Sequence, residues 1–199
     1  MHSEAESSEP RERTPLYRLA QQWLLPALTQ PGYAIDATCG NGNDLLFLCE
    51  SMGSSDEAIG IDKQAIAIEN TREKLATAGF HPNLFHSNHS EVCSLLTEYR
   101  ISPVKAAIFN LGYLPGGDHA VITEPESTIA SLRAIVERTT SLSRIAVVAY
   151  RGHPGGRDEA SAVRSYLASG CSPHLQFSEL TGKDSEISPH LYRLGPSQK

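Results

Sequence analysis

The chain has 199 residues, of which 40% are apolar and 20% charged, and it carries a formal net charge of −6. That apolar share fills one core, and no run approaches the ~18 apolar residues of a membrane span, so the sequence reads as one soluble domain. Cys39, Cys49, Cys93 and Cys171 form no C-x-x-C and no zinc-like cluster, which excludes a disulfide scaffold and structural zinc and makes a reducing cytoplasm the default compartment.

Residues 1–13 are polar and acid-rich through Glu4, Glu6, Glu9 and Glu12, and predict a frayed, disordered tail before a single domain over 14–199. This stretch matches neither a secretory signal nor an acid-poor transit peptide. Thr14-Pro15 reads as N-cap and first residue of a helix through Leu16, Leu19, Ala20, Trp23 and Leu24, with Pro26 set to kink or end it. Tyr33 to Asp36 is a short apolar strand, Asn43 to Cys49 a helix, Ala58 to Asp62 a second strand, and Gln64 to Ala78 a second helical pattern. A strand over Asn83 to Asn88 precedes a helix near Glu91 to Tyr99. A strand over Lys105 to Asn110 precedes a helix over Glu126 to Thr139.

Arg144 to Tyr150 is the most β-like run, followed by a helix over Asp158 to Ser169. Leu175 to Leu180 and His190 to Leu194 are strands separated by the turn signal Gly182-Lys183-Asp184. Five strand–helix units closed by a hairpin predict an α/β fold, a mostly parallel seven-stranded sheet with one antiparallel strand and helices on both faces. This layout resembles the Rossmann-like class I methyltransferase fold. In such sheets ligands bind beyond the carboxyl ends of the strands, which directs attention to the residues that end each strand.

The first strand delivers Asp36-Ala-Thr-Cys-Gly-Asn-Gly42, whose glycines let backbone turn tightly and approach a ligand. Leu45 stands where a dinucleotide fingerprint needs a third glycine or alanine, and Asp36 and Asp44 flank the turn, so a pyrophosphate is disfavoured. Two carboxylates suit a cationic, hydroxyl-rich ligand such as S-adenosylmethionine; the plain alternative is an ordinary strand–turn–helix corner. Asp62 ends the second strand, where ribose hydroxyls are bound in doubly wound sheets, or else caps the following helix.

Asn110-Leu-Gly-Tyr113-Leu-Pro-Gly-Gly-Asp118 resembles the N-P-P-Y signature of amino-group methyltransferases, with Leu111 and Gly112 replacing the prolines. An attacking amine must be neutral, so its N–H groups need acceptors and its lone pair must meet no donor. The Asn110 side-chain oxygen supplies such an acceptor and Tyr113 can stack on a planar base; the alternative is a glycine-rich surface loop. Tyr150-Arg-Gly-His153-Pro-Gly-Gly156 ends the fifth strand, where His153 is either a proton acceptor or a structural hydrogen bonder. His86 and His89 have no third ligand at a sensible spacing, so no metal is expected; Asn88 and His89 suit an adenine-side contact or a cap.

The words D-A-T-C-G-N-G-x-D (36–44), N-L-G-Y-L-P-G-G-D (110–118) and Y-x-G-H-x-G-G-x-x-E (150–159), in this order, resemble the YtqB/MnmM-type methyltransferases, a family once labelled ribosomal RNA methylases. The resemblance runs from about Thr14 to Leu194. It implies S-adenosylmethionine-dependent methylation of the primary amine of 5-aminomethyl-(2-thio)uridine at the tRNA wobble position, with S-adenosylhomocysteine as product and the anticodon stem-loop as partner.

The cofactor set expected is Asp36, Thr38, Gly40, Asn41, Gly42, Asp44, Asp62, Lys63, Asn88, His89, Asn110 and Gly112. The substrate set is Tyr113, Leu114, Pro115, Arg151 and His153, and the catalytic candidates are Asn110, Tyr113 and His153. Asn43 and His119 depart from the family pattern, which favours His and Lys or Arg there. Against an RNA partner stands the acidic balance; in its favour, Arg11, Arg13 and Arg18 cluster, Lys63 and Arg72 lie near the second helix, and Arg151 and Arg157 bracket a glycine loop. A methyltransferase for rRNA or a small-molecule amine, and a non-catalytic cofactor-binding subunit, are the competing readings. The oligomeric state is open, a homodimer included.

Overall fold

A computed structural model describes residues 14–112, 124–181 and 187–197. The acidic segment 1–13, Tyr113, Leu114, Pro115, His119 and the turn at 182–184 lie outside the described residues. The strands are β1 (Tyr33–Asp36), β2 (Ala58–Asp62), β3 (Asn83–His86), β4 (Val104–Leu111), β5 (Thr139–Ala149), β6 (Gln176–Thr181) and β7 (His190–Gly195). The helices are α1 (Leu16–Leu28), α2 (Asn43–Met52), α3 (Ala65–Thr77), α4 (Val92–Glu98), α5 (Pro125–Val136) and α6 (Gly156–Ala168), and a short 3-10 turn, His89–Glu91, precedes α4.

One seven-stranded sheet has the order β3-β2-β1-β4-β5-β7-β6, and only β7 runs against the others. Chain direction across the sheet reverses between β1 and β4, so the crevice for a ligand opens at the carboxyl ends of those two strands. Strand side chains alternate between two apolar layers. Ala34, Ala106, Ile108, Ala146 and Val148 pack under α1, α2 and α3, through Leu24, Leu45, Leu48 and Leu75. Ile35, Phe109, Val147 and Tyr192 pack under α4, α5 and α6, through Leu96, Leu132, Ile135 and Val163. Truncating a fully buried ring such as Phe109 would cost about 3–5 kcal/mol.

Three local expectations change. Pro15, not Thr14, is the N-cap residue of α1: its carbonyl accepts from the N–H groups of Arg18 and Leu19, and Pro26 is held inside the helix. Asp62 does not cap α3, which starts after Gln64; its carboxylate instead accepts from Gln64 N–H. β5 begins five residues early, at Thr139, because the polar start of the strand pairs with Val104 and Ser143 donates to the Val104 carbonyl. Among the described residues, no helix is long and apolar enough to cross a membrane.

Candidate active site

The register of β1 against β4 sets Asp36 beside Ile108, so the residues two further along the chain, Thr38 in the turn after β1 and Asn110 in β4, meet at the strand ends. There the Asn110 backbone N–H donates to Thr38 Oγ1 at 2.7 Å, pinning the end of β4 to the turn after β1. The Asn110 side chain is fixed separately: its Nδ2 donates to Asp44 Oδ2 at 2.8 Å. Gln21 Nε2, from α1, donates to the other oxygen of the same carboxylate at 2.7 Å. An amide whose nitrogen is committed to a carboxylate must present its oxygen on the opposite side.

The turn that carries Asp44 is tight. Gly42 has φ of 75°, in the left-handed region, and its N–H donates to Cys39 O at 2.7 Å. A Cβ there would stand 3.1 Å from Thr71 Cα, so glycine lets α3 close against the turn. Thr71 Oγ1 donates to Gly40 O at 2.9 Å, and Gly40 N–H donates to Asp62 Oδ2 at 2.9 Å. Asp62 thus binds the glycine turn with one oxygen and the start of α3 with the other, and each oxygen keeps a lone pair for a hydroxyl group. Asn41 accepts from Asn70 Nδ2 at 3.3 Å, and Lys74 Nζ donates to Asn43 Oδ1.

Asp36 is buried at the end of β1, 1% exposed. Its Oδ1 accepts from Thr38 N–H at 3.2 Å, while Oδ2 has no partner among the described residues. Burial, and after it the Asp44 carboxylate, push the Asp36 carboxyl well above the ordinary range. A buried carboxylate with an unpartnered oxygen beside a second acid is an environment that a cation improves, and S-adenosylmethionine carries two cationic groups. The donor set therefore fits that cofactor.

The ends of β3 and β5 are more structural than the sequence suggests. Asn88 Oδ1 accepts from Ser90 N–H while Glu91 bonds back to Asn88 N–H, a capping box on the 3-10 turn. His89 lies beneath the site: Nε2–H donates to Ala37 O at 2.8 Å, and burial lowers its basicity. Lys63 is half-buried, and burial lowers its ammonium against the pull of Asp62, Glu159 and Glu124. Glu159, 1% exposed, accepts from Thr128 Oγ1 at 2.7 Å and so joins α5 to the first turn of α6. Arg151 Nη1 donates to His190 Nε2 at 2.8 Å, and His190 Nδ1 donates to Glu179 at 3.0 Å, which ties the guanidinium to the start of β7. Gly112 packs beside the Tyr150 ring, 3.5 Å from where a Cβ would stand.

A cleft of about 960 Å³ lies over these strand ends. It collects Thr38, Gly40, Asn41, Asp44, Asn110 and His153 from the expected set. His153 Nδ1 donates to Pro154 O at 3.0 Å, so the neutral ring carries its proton on Nδ1. The ring is seated by Gly156, where a Cβ would come within 2.6 Å of Nε2. Asp36, Gly42, Asp62, Lys63, Asn88, His89, Gly112 and Arg151 do not line this cleft. Sequence reasoning missed Tyr17, Gln21, Phe47, Tyr150 and Ile187, which do. Tyr17, Tyr150 and Ile187 are exposed large apolar side chains at one cleft, and the Tyr150 hydroxyl is made less acidic by burial, then by Asp44 and Tyr17. No group of three His, Cys, Asp or Glu able to hold a metal occurs among the described residues.

The family model described as "Putative rRNA methylase" matches residues 58–190. The chain is 37% identical over 142 residues to the chloroplastic tRNA (mnm(5)s(2)U34)-methyltransferase of Arabidopsis thaliana, a match covering 66% of this chain and 51% of that protein. The crystal structure of a putative rRNA-methylase from Clostridium thermocellum superposes with a TM-score of 0.81 at 30% identity, covering 92% of this chain and 98% of that one. A putative methyltransferase from Streptococcus mutans, in complex with SAH, gives a TM-score of 0.79 at 30% identity over the same shares. The sheet order, the strand-end motifs and the family match agree, and the chain belongs to this rRNA methylase family of Rossmann-like proteins.

Proposed function

We propose that the protein is an S-adenosylmethionine-dependent N-methyltransferase that converts 5-aminomethyl-(2-thio)uridine at the tRNA wobble position to its 5-methylaminomethyl form. The observation that carries the reading is the tethered amide: Asn110 Nδ2 is held by Asp44, which leaves Asn110 Oδ1 as an oriented acceptor. An amine that gives one N–H to this oxygen has its lone pair directed elsewhere, ready for in-line attack. When bound, the cofactor supplies an electrophilic methyl group.

The chain's own residues do the rest. Thr38 fixes the depth of Asn110, and Gln21 keeps the Asp44 carboxylate from rotating. Tyr17 and Tyr150 are exposed aromatic side chains that line the cleft, which suits an unstacked pyrimidine held by stacking. His153 borders the same space, with its Nδ1 proton given to the Pro154 carbonyl. A cleft of about 960 Å³ accommodates a nucleoside-sized cofactor and a base together. The named activity of the Arabidopsis relative points the same way. That relative is chloroplastic, and a reducing stroma or cytoplasm suits four unpaired cysteines equally.

The test uses purified protein, labelled S-adenosylmethionine and two tRNA pools, one bearing the aminomethyl group at the wobble uridine and one lacking it. Labelling of the first pool alone is expected. Equal labelling of both, or labelling of rRNA in their place, would discard this substrate.

A further inference from the structure

Two arginines far apart in sequence converge on one aromatic ring. Arg144 of β5 and Arg193 of β7 place their guanidinium carbons 4.2 and 4.6 Å from the ring centre of Trp23, on α1. The ring rests against the backbone of β7, because Gly195 has no side chain: a Cβ there would come within 2.4 Å of Trp23 Cζ2. Arg144 Nη1 donates to Trp23 O at 3.2 Å, and Arg193 Nε donates to Ser178 Oγ at 3.2 Å. These bonds use one of the five N–H donors on each guanidinium.

Neither arginine has a carboxylate within ion-pair distance among the described residues. Arg72, Lys105 and Arg164, by contrast, are each paired with a glutamate. The two cations lie at most ~9 Å apart, about one Debye length at physiological salt, so they repel each other in an otherwise acidic protein. Burial, and then the neighbouring Arg193 charge, disfavours the Arg144 cation. Such a pair, held by neutral acceptors and stacked on an indole, is complementary to an anion with several acceptor oxygens.

We propose that Trp23, Arg144 and Arg193 form a binding site for the phosphate backbone of an RNA, outside the catalytic cleft and on the same helix that enters it. Helix α1 links the two places: Arg18 lines the cleft, and Trp23 follows it by five residues, ~7.5 Å along the axis. That distance is short enough for one stretch of sugar–phosphate backbone to reach both places. A hairpin whose loop base enters the cleft would thus lay its flanking backbone over Arg18 and then over the arginine pair. The site extends the RNA substrate proposed above and rests on that reading for its biological meaning, but its chemistry is measurable without methyl transfer.

The experiment is fluorescence anisotropy of a labelled, unmodified anticodon stem-loop RNA against the full chain, across a series of salt concentrations. The variants are Arg144→Gln with Arg193→Gln, and Arg144→Lys with Arg193→Lys. The glutamine pair is expected to bind about 10- to 100-fold more weakly at low salt, with the slope of log affinity against log salt reduced by about 1 to 2. The lysine pair should keep most of the affinity, and both should bind S-adenosylhomocysteine as the natural chain does. Unchanged affinity and slope in the glutamine pair, equal losses in both variants, or no binding of the hairpin by the natural chain would overturn the site, leaving the arginines as a cover for Trp23. Loss of hairpin binding in the glutamine pair, with no methylation of aminomethyl-tRNA by the natural chain, would support this site while discarding the proposed reaction.

Discussion

Replacing Asn110 by alanine separates the two jobs that meet at the end of β4. The backbone bond from Asn110 N–H to Thr38 Oγ1, 2.7 Å, does not depend on the side chain, so the strand end and the glycine turn stay in place. What is lost is the oriented oxygen and the 2.8 Å bond to Asp44, whose carboxylate keeps its 2.7 Å bond from Gln21. Removing one preorganised hydrogen-bonding group from a transition state costs about 2–4 kcal/mol, which is a loss of about 30- to 1,000-fold in turnover. Asp44→Ala leaves the oxygen present and frees it to rotate. Restoring one ordered rotamer costs about 0.5–1.5 kcal/mol, so its turnover should fall only about 2- to 10-fold, while cofactor binding weakens through the lost acid. Single-turnover rates at saturating cofactor, with calorimetry of S-adenosylhomocysteine binding, distinguish the two variants. The reasoning fails if Asn110→Ala mainly weakens cofactor binding, or if Asp44→Ala slows turnover as much as Asn110→Ala does.

Asp62→Ala removes the acceptor of Gly40 N–H and the expected partner of a ribose hydroxyl, and should weaken cofactor binding by about 10- to 100-fold with a smaller effect on turnover at saturation; calorimetry decides this, and an unaltered affinity would contradict it. The raised Asp36 carboxyl binds its proton more tightly in the folded than in the unfolded chain, so its contribution to stability is lost as pH rises from the unfolded range, ~3.9, toward the folded value. Denaturation curves of Asp36→Asn should therefore gain on those of the natural chain as pH goes from 4 to 8, and a constant difference would show that Asp36 does not titrate in this window. Tyr150→Ala should raise the KM for tRNA by about 5- to 150-fold, the loss of ~1–3 kcal/mol of base stacking, with little change in cofactor affinity; an unchanged KM would remove Tyr150 from the substrate platform.

How much of this was legible in the chain depends on the range of the interactions involved. β1 and β2 are readable to the residue because each is an apolar run closed by an acid, and local pattern alone defines them. Asp36 and Asn110 are likewise strand-end polar residues, and Asp44 opens the helix after the first strand, so an α/β layout brings them together. The bond between Asp44 and Asn110, however, joins positions 66 apart, and the one from Gln21 reaches Asp44 across 23, so no spacing rule announces either. Tyr17 and Tyr150 look like ordinary members of an amphipathic helix and a β-run until tertiary packing sets both on one cleft. His89 misleads in the opposite direction: it follows a strand end, yet its imidazole turns inward to hold the Ala37 carbonyl.

The acidic balance looks unfavourable for an RNA partner, but several carboxylates among the described residues are buried or paired. Asp36 is buried with its acidity suppressed, so it adds little to the outer field. Asp44, in the first turn of α2, and Asp62, at the end of β2, have their oxygens engaged by amides, where a cationic cofactor would offset them. Glu57, Glu69 and Glu179 are each paired with a cation. At a Debye length of ~8 Å, an RNA strand responds to the charges beneath it and not to the sum over the chain. Beside α1 the cations are Arg18 on the helix itself and Arg144 and Arg193 on β5 and β7, so acids that grip a sulfonium donor and arginines that meet a polyanion can occupy one small domain.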